Sequence, residues 1–293
     1  MKVLIIGSGG YVGRHLLARL KADQLDVHGV SSSNPGGIDR STGLFPDSAT
    51  IPPGTDTIIY LAQSPYSHQV PDRAAHVMAV NVVACLQTVE FARRARATRL
   101  IYLSSGNVYA PSFDPLPETA PLRRDNWYSL SKVHAEEALA LYRKDMEITI
   151  VRPFGIYGPG QTNRLVPNLI NSVLQGMDIY IQKNPYDAND LGGLKISLCY
   201  IEDAVTILRT LIINGGPSVL NLASSLPASI RDIANVLACL ANREVTFAVS
   251  DQFRDTNLIA DVSLLRRVFK PEFTTLEDGL GATFNYCVRS VNV

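Results

Sequence analysis

The stretch Val3-Leu4-Ile5-Ile6-Gly7-Ser8-Gly9-Gly10-Tyr11-Val12-Gly13 joins a short apolar run to a cluster of glycines. Residues 13–21, at its end, have the apolar spacing of a helix. Glycines permit a tight turn and a close backbone approach, and the N–H groups at a helix start attract an anion. Strand, glycine turn and helix in this order predict a dinucleotide phosphate at the turn. The alternative is a glycine turn with a purely structural role.

Short β-branched runs alternate with helical patterns through the first half of the chain. The predicted strands cover residues 3–6, 27–30, 57–61, 100–104 and 148–151. The predicted helices between them cover residues 13–21, 74–97 and 129–144. Near-continuous apolar strands joined by helices indicate a parallel sheet covered on both faces. We therefore predict an α/β fold, a Rossmann-type doubly wound parallel sheet.

The alternation of strand and helix patterns becomes less regular after residue 151, where glycine and proline become frequent. This change predicts a dinucleotide-binding domain over residues 1–151 and a smaller C-terminal substrate-binding lobe over residues 152–293. Residues 204–213 and 230–241 still have helical patterns, so we expect close packing, with some segments returning to the first domain. The polar pattern of residues 180–194 predicts a loop, either a substrate lid or an inert insertion.

The composition excludes several classes of partner. The chain has 293 residues, 46% hydrophobic and 18% charged, and 27 basic side chains balance 27 acidic ones. Such a length buries a core without disulfides or metals. With no net charge and no long basic run, we expect neither nucleic acid nor an anionic membrane as a partner. We also expect no apolar stretch of the roughly 18 to 20 residues that a membrane helix needs.

The cysteines and histidines suggest no metal chemistry. The four cysteines, at positions 85, 199, 239 and 287, form no CxxC pair and have no histidine at metal-ligand spacing. We expect buried free thiols, no metal site and a cytoplasmic protein. His68 and His76 follow the third predicted strand, and we expect both at the surface.

The second predicted strand is followed by Ser31-Ser32-Ser33, without a carboxylate. In a Rossmann fold an acid at this place usually accepts hydrogen bonds from the adenosine ribose. Serine hydroxyls leave NAD and NADP both open and favour NADP, because they do not repel a 2′-phosphate. Arg40 would complete a phosphate site, although nothing in the sequence fixes its place. Alternatively, the serines only begin a loop and other groups hold NAD.

Ser104 and Ser105 stand at the carboxyl end of the fourth predicted strand, the edge where ligands bind in open α/β sheets. Tyr128 and Lys132 open a later helix and share one face of it, because they lie four residues apart. A nearby ammonium group lowers the pKa of a phenol. The phenol can then exchange a proton with a carbinol while a nicotinamide exchanges hydride. YxxxK alone also describes an exposed helical pair, but its place after the glycine turn and the serines favours catalysis.

These motifs, in this order, resemble the extended short-chain dehydrogenase/reductases, specifically the NAD-dependent epimerase/dehydratase branch that acts on sugars. The resemblance covers most of the chain. It is carried by Gly7-x-x-Gly10-x-x-Gly13, Ile59-Tyr60-Leu61-Ala62, Asn81-Val82, Ser104-Ser105-Gly106-Asn107-Val108-Tyr109, Tyr128-x-x-x-Lys132, Arg152-Pro153-Phe154-Gly155-Ile156-Tyr157-Gly158-Pro159-Gly160, Tyr200-Ile201-Glu202-Asp203-Ala204, Leu220-Asn221-Leu222 and Leu276-Glu277-Asp278-Gly279-Leu280.

The resemblance implies roles for individual residues. Ser105 matches the family's catalytic hydroxyl, Tyr128 its acid/base, and Lys132 the residue that binds the nicotinamide ribose and tunes the tyrosine. The expected cofactor-binding residues are Gly7, Gly10, Tyr11, Val12, Gly13, Ser31, Leu61, Ala62, Tyr128, Lys132 and Pro153. The expected substrate-binding residues are Ser105, Asn107, Tyr128, Asn163 and Arg164.

The function expected from the residues and the resemblance is an NAD(P)-dependent epimerase or keto-reductase of a sugar or nucleotide-sugar, with both reactions left open. Gly106-Asn107 stands where 4,6-dehydratases of the family carry Asp-Glu, and neither residue transfers protons at neutral pH, so dehydration is disfavoured. The non-enzyme alternative is an NAD(P)-binding sensor or scaffold protein of the same fold.

The resemblance also implies a homodimer, paired through the helix of residues 74–97 and the helix that begins near Tyr128. Four apolar residues are available for its interface: Val83, Leu86, Leu139 and Leu141. The alternative is that these residues fill the core of a single subunit.

Overall fold

A computed structural model describes residues 1–224 and 226–291 of the chain. The strands are β1 Lys2–Ile6, β2 Asp26–Val30, β3 Thr57–Tyr60, β4 Arg99–Leu103, β5 Glu147–Pro153, β6 Gly155–Tyr157, β7 Ile179–Lys183, β8 Lys195–Ile196, β9 Leu198–Tyr200, β10 Val219–Leu222, β11 Ala228–Ser229 and β12 Phe247–Phe253. The α-helices are α1 Tyr11–Ala22, α2 Ala74–Met78, α3 Ala84–Ala95, α4 Trp127–Ala140, α5 Leu165–Gln175, α6 Ile201–Asn214, α7 Ile230–Ala241, α8 Ser263–Phe269 and α9 Leu276–Val291.

The central sheet has six strands in the order β10-β5-β4-β3-β1-β2. The pairings from β5 through β2 are parallel. All four residues of β3 are buried, as expected for a strand covered on both faces. The strand order reverses at β1, which has β2 on one side and β3 on the other. In such sheets the crevice at this reversal receives the ligand, and here it opens beside Gly7. The predicted doubly wound parallel sheet is confirmed.

The chain divides into two compact units. The first comprises Met1–Ala110, Ala120–Pro153 and Val205–Leu220, and the second comprises Pro111–Thr119, Phe154–Ala204 and the chain from Asn221 onward. The two-domain division after residue 151 stays a prediction. The observed units place Pro111–Thr119 in the second unit, which the prediction did not include, and Val205–Leu220 in the first.

Each unit has its own apolar core. In the first, strand residues such as Leu4, Ile58 and Leu100 pack with side chains of the crossover helices, among them Val89. In the second, α5, α7 and α9 pack together through residues such as Ile170, Leu237 and Leu280. Three two-stranded sheets accompany them, β6 with β9, β7 with β12, and β8 with β11. These short pairings replace a second large sheet.

The crossover between β3 and β4 is a long helical run with an irregular centre. A π-helical turn, Ala79–Val83, joins α2 to α3. Among the described residues one run of 22, Ala74–Ala95, has the length and composition of a membrane span, with a mean hydropathy of 1.4 over an 18-residue window. The expectation that no apolar stretch reaches that length was therefore wrong. Half of its apolar window is buried, which is also the property of a core helix that covers a parallel sheet.

The cysteines differ in burial. Cys85 and Cys199 are buried, Cys287 is partly buried and Cys239 is exposed near the end of α7; all four are free thiols. The expectation of four buried thiols is thus wrong for Cys239. Its neighbours Leu237 and Ala238 turn toward the core, and a helix residue one position further on faces another direction.

Candidate active site

The glycine turn between β1 and α1 has no room for side chains at two positions. A Cβ on Gly7 would lie 2.6 Å from the backbone nitrogen of Ala62, and a Cβ on Gly13 would lie 2.2 Å from the carbonyl oxygen of Gly7. Gly7 also has a φ of +90°, a conformation that side chains disfavour. The Gly10 N–H closes the turn by donating to the Gly7 carbonyl at 3.0 Å. The turn therefore presents backbone rather than side chains to the crevice.

The start of α1 fits a phosphate group. Gly10 occupies the N-cap without a side-chain cap, and the first turn contains no acidic residue. The first N–H groups of a helix, here those of Tyr11, Val12 and Gly13, have no acceptor within the helix. Together with the helix dipole they favour an anion. The pyrophosphate of a dinucleotide is a ligand of this kind, so the residues present fit the predicted cofactor.

Ser31 follows β2 and lies beside the glycine turn, since a Cβ on Gly9 would be 3.2 Å from the Cβ of Ser31. The Ser31 hydroxyl donates to Oδ1 of Asn34 at 2.9 Å, and the Ser31 N–H donates to the same oxygen at 2.7 Å. Ser31 thus lies where the sequence places the adenosine end of the cofactor. Its hydroxyl proton is used inside its own turn.

Arg40 returns from a later loop to the end of β2. Its Nε donates to the hydroxyl of Ser32 at 3.0 Å, and its Nη2 donates to the hydroxyl of Ser33 at 2.7 Å. The sequence left the place of Arg40 undetermined. The structure puts its positive charge beside the two serines that follow Ser31.

Ser105 lies just beyond the carboxyl end of β4. Its Oγ accepts the Asn107 N–H at 3.1 Å and caps the short 3₁₀ turn Gly106–Val108. That bond uses a lone pair, so the hydroxyl proton of Ser105 can still be donated. The Asn107 carbonyl accepts the Ser129 hydroxyl at 2.7 Å, which ties the turn to α4.

Tyr128 lies in the first turn of α4. Oδ1 of the N-cap Asn126 accepts the Ser129 N–H at 2.9 Å, which explains why the helix begins here. The Tyr128 hydroxyl lies 3.4 Å from Oε1 of Gln63 in the loop after β3. Sequence reasoning missed Gln63, because only the fold brings this loop to the phenol.

Lys132 is 1% exposed, one helical turn after Tyr128. Its Nζ donates to the Leu103 carbonyl at 2.9 Å and lies 4.9 Å from the centre of the Tyr102 ring. Burial lowers the pKa of Lys132 to about 8, although Cys85 and Glu136 act in the opposite direction. YxxxK alone would also fit an exposed, solvated pair on a helix. The burial of Lys132 and its bond at the carboxyl end of β4 exclude that alternative.

Glu136 lies one turn beyond Lys132 and forms a buried ion pair with Arg152 of β5. The Arg152 Nη2 lies 2.5 Å from Glu136 Oε2, and its Nε lies 3.1 and 3.2 Å from the two carboxylate oxygens. Ser104 donates to the same carboxylate, and Nη1 of Arg152 donates to the Tyr109 hydroxyl at 3.0 Å. This network fastens α4 to the carboxyl ends of β4 and β5.

The π-helical turn places Asn81 in the interior, 0% exposed. Its Oδ1 accepts the Ser64 N–H at 3.1 Å, and its Nδ2 donates to the Ser131 hydroxyl at 2.9 Å. Ser131 in turn donates to the Tyr128 carbonyl at 2.8 Å. Asn81 therefore links the loop after β3 to the first turn of α4. Asn81 belongs to the motif Asn81-Val82, from which no role in the site was predicted.

The remaining predicted residues fall into two places. Leu61 and Ala62 follow β3 against the glycine turn, where the Leu61 N–H donates to the Ile6 carbonyl at 2.8 Å. Pro153 ends β5. Asn163, with a φ of +53°, and Arg164, the N-cap of α5, belong to the second unit. The structure thus collects the predicted cofactor and catalytic residues in the first unit and these two substrate residues in the second.

His76 departs from its expected surface position, being only 8% exposed. Among the described residues, no group of three His, Cys, Asp or Glu side chains could hold a metal ion.

A reversed strand order at β1, a glycine turn for a pyrophosphate, and a tyrosine one turn before a buried lysine define a dinucleotide-binding α/β enzyme. Residues 3–223 match the NAD dependent epimerase/dehydratase family, and the chain belongs to that family. The protein is accordingly an NAD(P)-dependent enzyme of the sugar epimerase and oxidoreductase class.

Individual relatives span nearly the whole chain at low identity. An uncharacterized UDP-glucose epimerase, YtcB, of Bacillus subtilis is 24% identical, with 96% of both chains covered. The GDP-6-deoxy-D-mannose reductase of Pseudomonas aeruginosa is 26% identical, with 83% of this chain and 81% of the reductase covered. The UDP-glucuronic acid 4-epimerase of Bacillus cereus, solved with UDP-glucuronic acid and NAD, is 21% identical with a TM-score of 0.79 over 99% of this chain and 100% of the epimerase. At that identity the solved structure supports the fold alone.

Proposed function

We propose that this protein is an NAD(P)-dependent epimerase or keto-reductase of a nucleotide-sugar, with Tyr128 as the acid/base. The observation that carries the proposal is the buried Lys132 ammonium group, held at the carboxyl end of β4 one helical turn from Tyr128. Relatives named as an epimerase and as a reductase of nucleotide-sugars support both reactions and the substrate class.

Three side chains of the first unit act on the reacting carbinol. Tyr128 takes the hydroxyl proton when the sugar carbon is oxidised and returns it when the ketone is reduced. Lys132 stabilises the phenolate by its charge. Ser105 donates its hydroxyl proton to the substrate oxygen. This proton is available, since the bond with the Asn107 N–H uses only a lone pair of the Ser105 Oγ. When bound, the dinucleotide supplies the hydride acceptor and donor at its nicotinamide ring.

The cofactor-binding residues are those of the glycine turn, the ends of β2 and β3, Tyr128, Lys132 and Pro153. We propose that NADP binds at least as well as NAD, because Arg40, Ser32 and Ser33 form a cationic, hydroxyl-rich site at the end of β2 without a carboxylate. Neighbouring structures contain NAD, so a preference for NADP would distinguish this chain from them.

The substrate contacts proposed in the second unit are Asn163 and Arg164. The stretch before Tyr200 reads Ile196-Ser197-Leu198-Cys199, without the Arg-Asp whose bidentate contacts hold a diphosphate in members of the family that this chain resembles. Lys195 is one cation that could replace it. Arg164 is a cation at the start of α5 that could take part of that role. We also propose a homodimer in the cytoplasm.

Two rival functions make different predictions. A 4,6-dehydratase would need a carboxylic acid directly after Ser105, where Gly106 and Asn107 instead contribute backbone to the 3₁₀ turn. A cofactor-binding sensor would bind dinucleotide without turning over any sugar, and Lys132 would then serve only to hold the cofactor.

The direct test is to identify the cofactor that purifies with the protein and then to offer a panel of UDP- and GDP-sugars. Mass spectrometry identifies the bound cofactor, and proton NMR monitors the conversion of the sugars. Interconversion of two sugars with catalytic cofactor shows an epimerase, and stoichiometric NAD(P)H oxidation with a keto-sugar shows a reductase. Elimination of water, or binding without turnover of any member of the panel, would contradict the proposal.

A further inference from the structure

We infer that His76 is a positioning residue for the adenosine end of the cofactor site. It holds the backbone of Arg40 so that the guanidinium group stays beside Ser32 and Ser33, where a 2′-phosphate would bind. The inference rests on the proposed NADP binding and adds the residue that positions Arg40 for the 2′-phosphate. His76 itself touches neither the substrate nor the cofactor.

The imidazole of His76 bridges two loops. Its Nε2 lies 3.1 Å from the carbonyl oxygen of Arg40, and its Nδ1 lies 2.9 Å from the hydroxyl of Ser64. Arg40 is therefore held at two points, its carbonyl by His76 and its guanidinium group by the serines after β2. Removing the first contact frees the backbone from which the side chain extends.

The partners specify one tautomer of His76. A carbonyl oxygen only accepts, so Nε2 must carry the proton toward Arg40. Nδ1 of the neutral ring then accepts the Ser64 hydroxyl proton. The same hydroxyl oxygen accepts the Tyr66 N–H at 3.2 Å. Every polar group of this bridge has a partner, which is the condition under which a buried imidazole fixes geometry.

The loop that carries Arg40 packs directly on the helix that carries His76. A Cβ on Gly43 would lie 2.9 Å from Val80, 3.1 Å from Ala79 and 3.4 Å from Nε2 of His76. Gly43 has a φ of +76°, and its N–H donates to the Asp39 carbonyl at 2.8 Å. The loop is thus shaped to approach the imidazole, and no side chain stands between them.

The nearby charges leave Arg40 available to an anion. The adjacent Asp39 carboxylate accepts bonds from Ser41 and Thr42, which lower its pKa to about 2. It is therefore committed within its own loop. The Tyr66 ring packs edge-on against the His76 imidazole, with 4.8 Å between the ring centres, and the Arg73 guanidinium group lies over the Tyr66 ring.

Two substitutions of His76 separate the two halves of the bridge. His76→Gln places an amide near the position of Nε2 and can still donate to the Arg40 carbonyl. His76→Asn reaches only the position of Nδ1, so it keeps a partner for Ser64 and loses Arg40. Arg40→Gln is the reference for complete loss of the cation, which should weaken NADP about ten- to a hundredfold.

The experiment is calorimetric titration of NADP and NAD into wild type and the three variants, with 2′-AMP and 5′-AMP as shorter probes. We expect His76→Asn to weaken the binding of NADP and 2′-AMP about fivefold or more. Complete loss of the charge-assisted bond, as in Arg40→Gln, should weaken their binding about tenfold or more. NAD and 5′-AMP should change less than about twofold, and His76→Gln should keep the wild-type ratio of NADP to NAD affinity. A merely structural histidine would weaken both nucleotides alike.

The outcomes distinguish this inference from the proposed cofactor preference. If wild type binds NAD much more tightly than NADP, or if Arg40→Gln leaves NADP unchanged, the cofactor proposal fails and the inference fails with it. If the Arg40→Gln effect appears but His76→Asn and His76→Gln behave alike, only the inference is overturned.

A measurement on wild type covers the case in which the variants do not fold. The ¹⁵N chemical shifts of the His76 ring report which nitrogen carries the proton. We expect the Nε2–H tautomer, with a shift of that nitrogen when 2′-AMP binds and a smaller one with 5′-AMP. An Nδ1–H tautomer, or equal responses to the two nucleotides, would overturn the inference.

Discussion

At the scale of single residues, the protonation of Lys132 limits activity on the alkaline side. Burial lowers its pKa from 10.5 to about 8, so the folded protein loses this charge above about pH 8. Without the ammonium group the phenolate of Tyr128 is no longer stabilised. We predict that kcat/KM falls above about pH 8, as read from a pH–rate profile.

Unfolding does not explain such a fall. Between pH 8 and 10.5 the unfolded chain binds more protons at Lys132 than the folded chain, so the contribution of this group to the free energy of unfolding rises with pH. The control is Lys132→Arg, whose guanidinium stays charged over the whole range. It should turn over more slowly and lack the alkaline fall. An unchanged fall in this variant would assign the titration to another group.

The serine at the end of β2 gives a second prediction at this scale. Ser31→Asp places a carboxylate beside the glycine turn, where it can accept bonds from the ribose hydroxyls of NAD and repel a 2′-phosphate. We expect wild type to bind NADP at least as well as NAD, and the variant to prefer NAD. Equilibrium titration of both nucleotides measures the ratio. Much tighter NAD binding by wild type would show that other groups hold the ribose.

At the scale of elements, the buried pair between α4 and β5 makes a stability prediction. Glu136→Gln leaves Arg152 buried without its counter-charge, which should cost about 3 kcal/mol or more in the free energy of unfolding. The matched control is Glu137→Gln on the same helix, whose partner Arg124 is exposed and whose loss should cost at most about 1 kcal/mol. Urea denaturation of both variants measures the difference. Equal losses would show that burial of the pair does not matter.

The same elements show what the sequence could predict. The strands β1, β3, β4 and β5 are visible in the sequence because a strand buried on both faces is a largely continuous apolar run. The edge strand β2 is only partly buried, and its two valines and its place in the alternation of strands and helices indicate it. The π-helical turn was hidden, since a single wide turn hardly disturbs the apolar spacing of residues 74–97. The short strands of the second unit were hidden as well, because two- or three-residue pairings such as β8 with β11 leave no pattern.

The sequence likewise predicts only part of the candidate site. Tyr128 and Lys132 lie on one helix, so their spacing alone brought them together. The position of Arg40 and the burial of His76 depend on a loop that returns to β2 and packs on the crossover helix. The hydrogen bond between His76 and the Arg40 carbonyl joins residues 36 positions apart, which no local pattern encodes.

At the scale of the whole molecule, the predicted homodimer needs apolar residues on the outside of the α3 and α4 region. Val83 is 44% exposed and Leu141 is 76% exposed, whereas Leu139 is fully buried in the core and is unavailable. The prediction that Leu139 is available for the interface is therefore wrong, and the alternative that it fills the core holds for this residue. We expect Val83→Glu with Leu141→Glu to convert a dimer to a monomer at micromolar concentration, because each buries a charge in an apolar interface.

Sedimentation equilibrium measures the assembly state of this double variant. Met177→Glu is the control, since Met177 is an exposed apolar residue of the second unit. It should leave the dimer intact. Wild type that sediments only as a monomer would contradict the predicted homodimer.

The central claim is that the Tyr128 hydroxyl moves the proton of the reacting carbinol. The measurement that tests it most directly is single-turnover hydride transfer by Tyr128→Phe, using whichever nucleotide-sugar the wild type converts. Tyr142→Phe, just beyond the end of α4 and packed against the core of the first unit, is the matched control. We predict a rate lower by about a hundredfold or more in Tyr128→Phe, with cofactor affinity nearly unchanged, and a wild-type rate in the control. A wild-type rate of hydride transfer in Tyr128→Phe would contradict the claim.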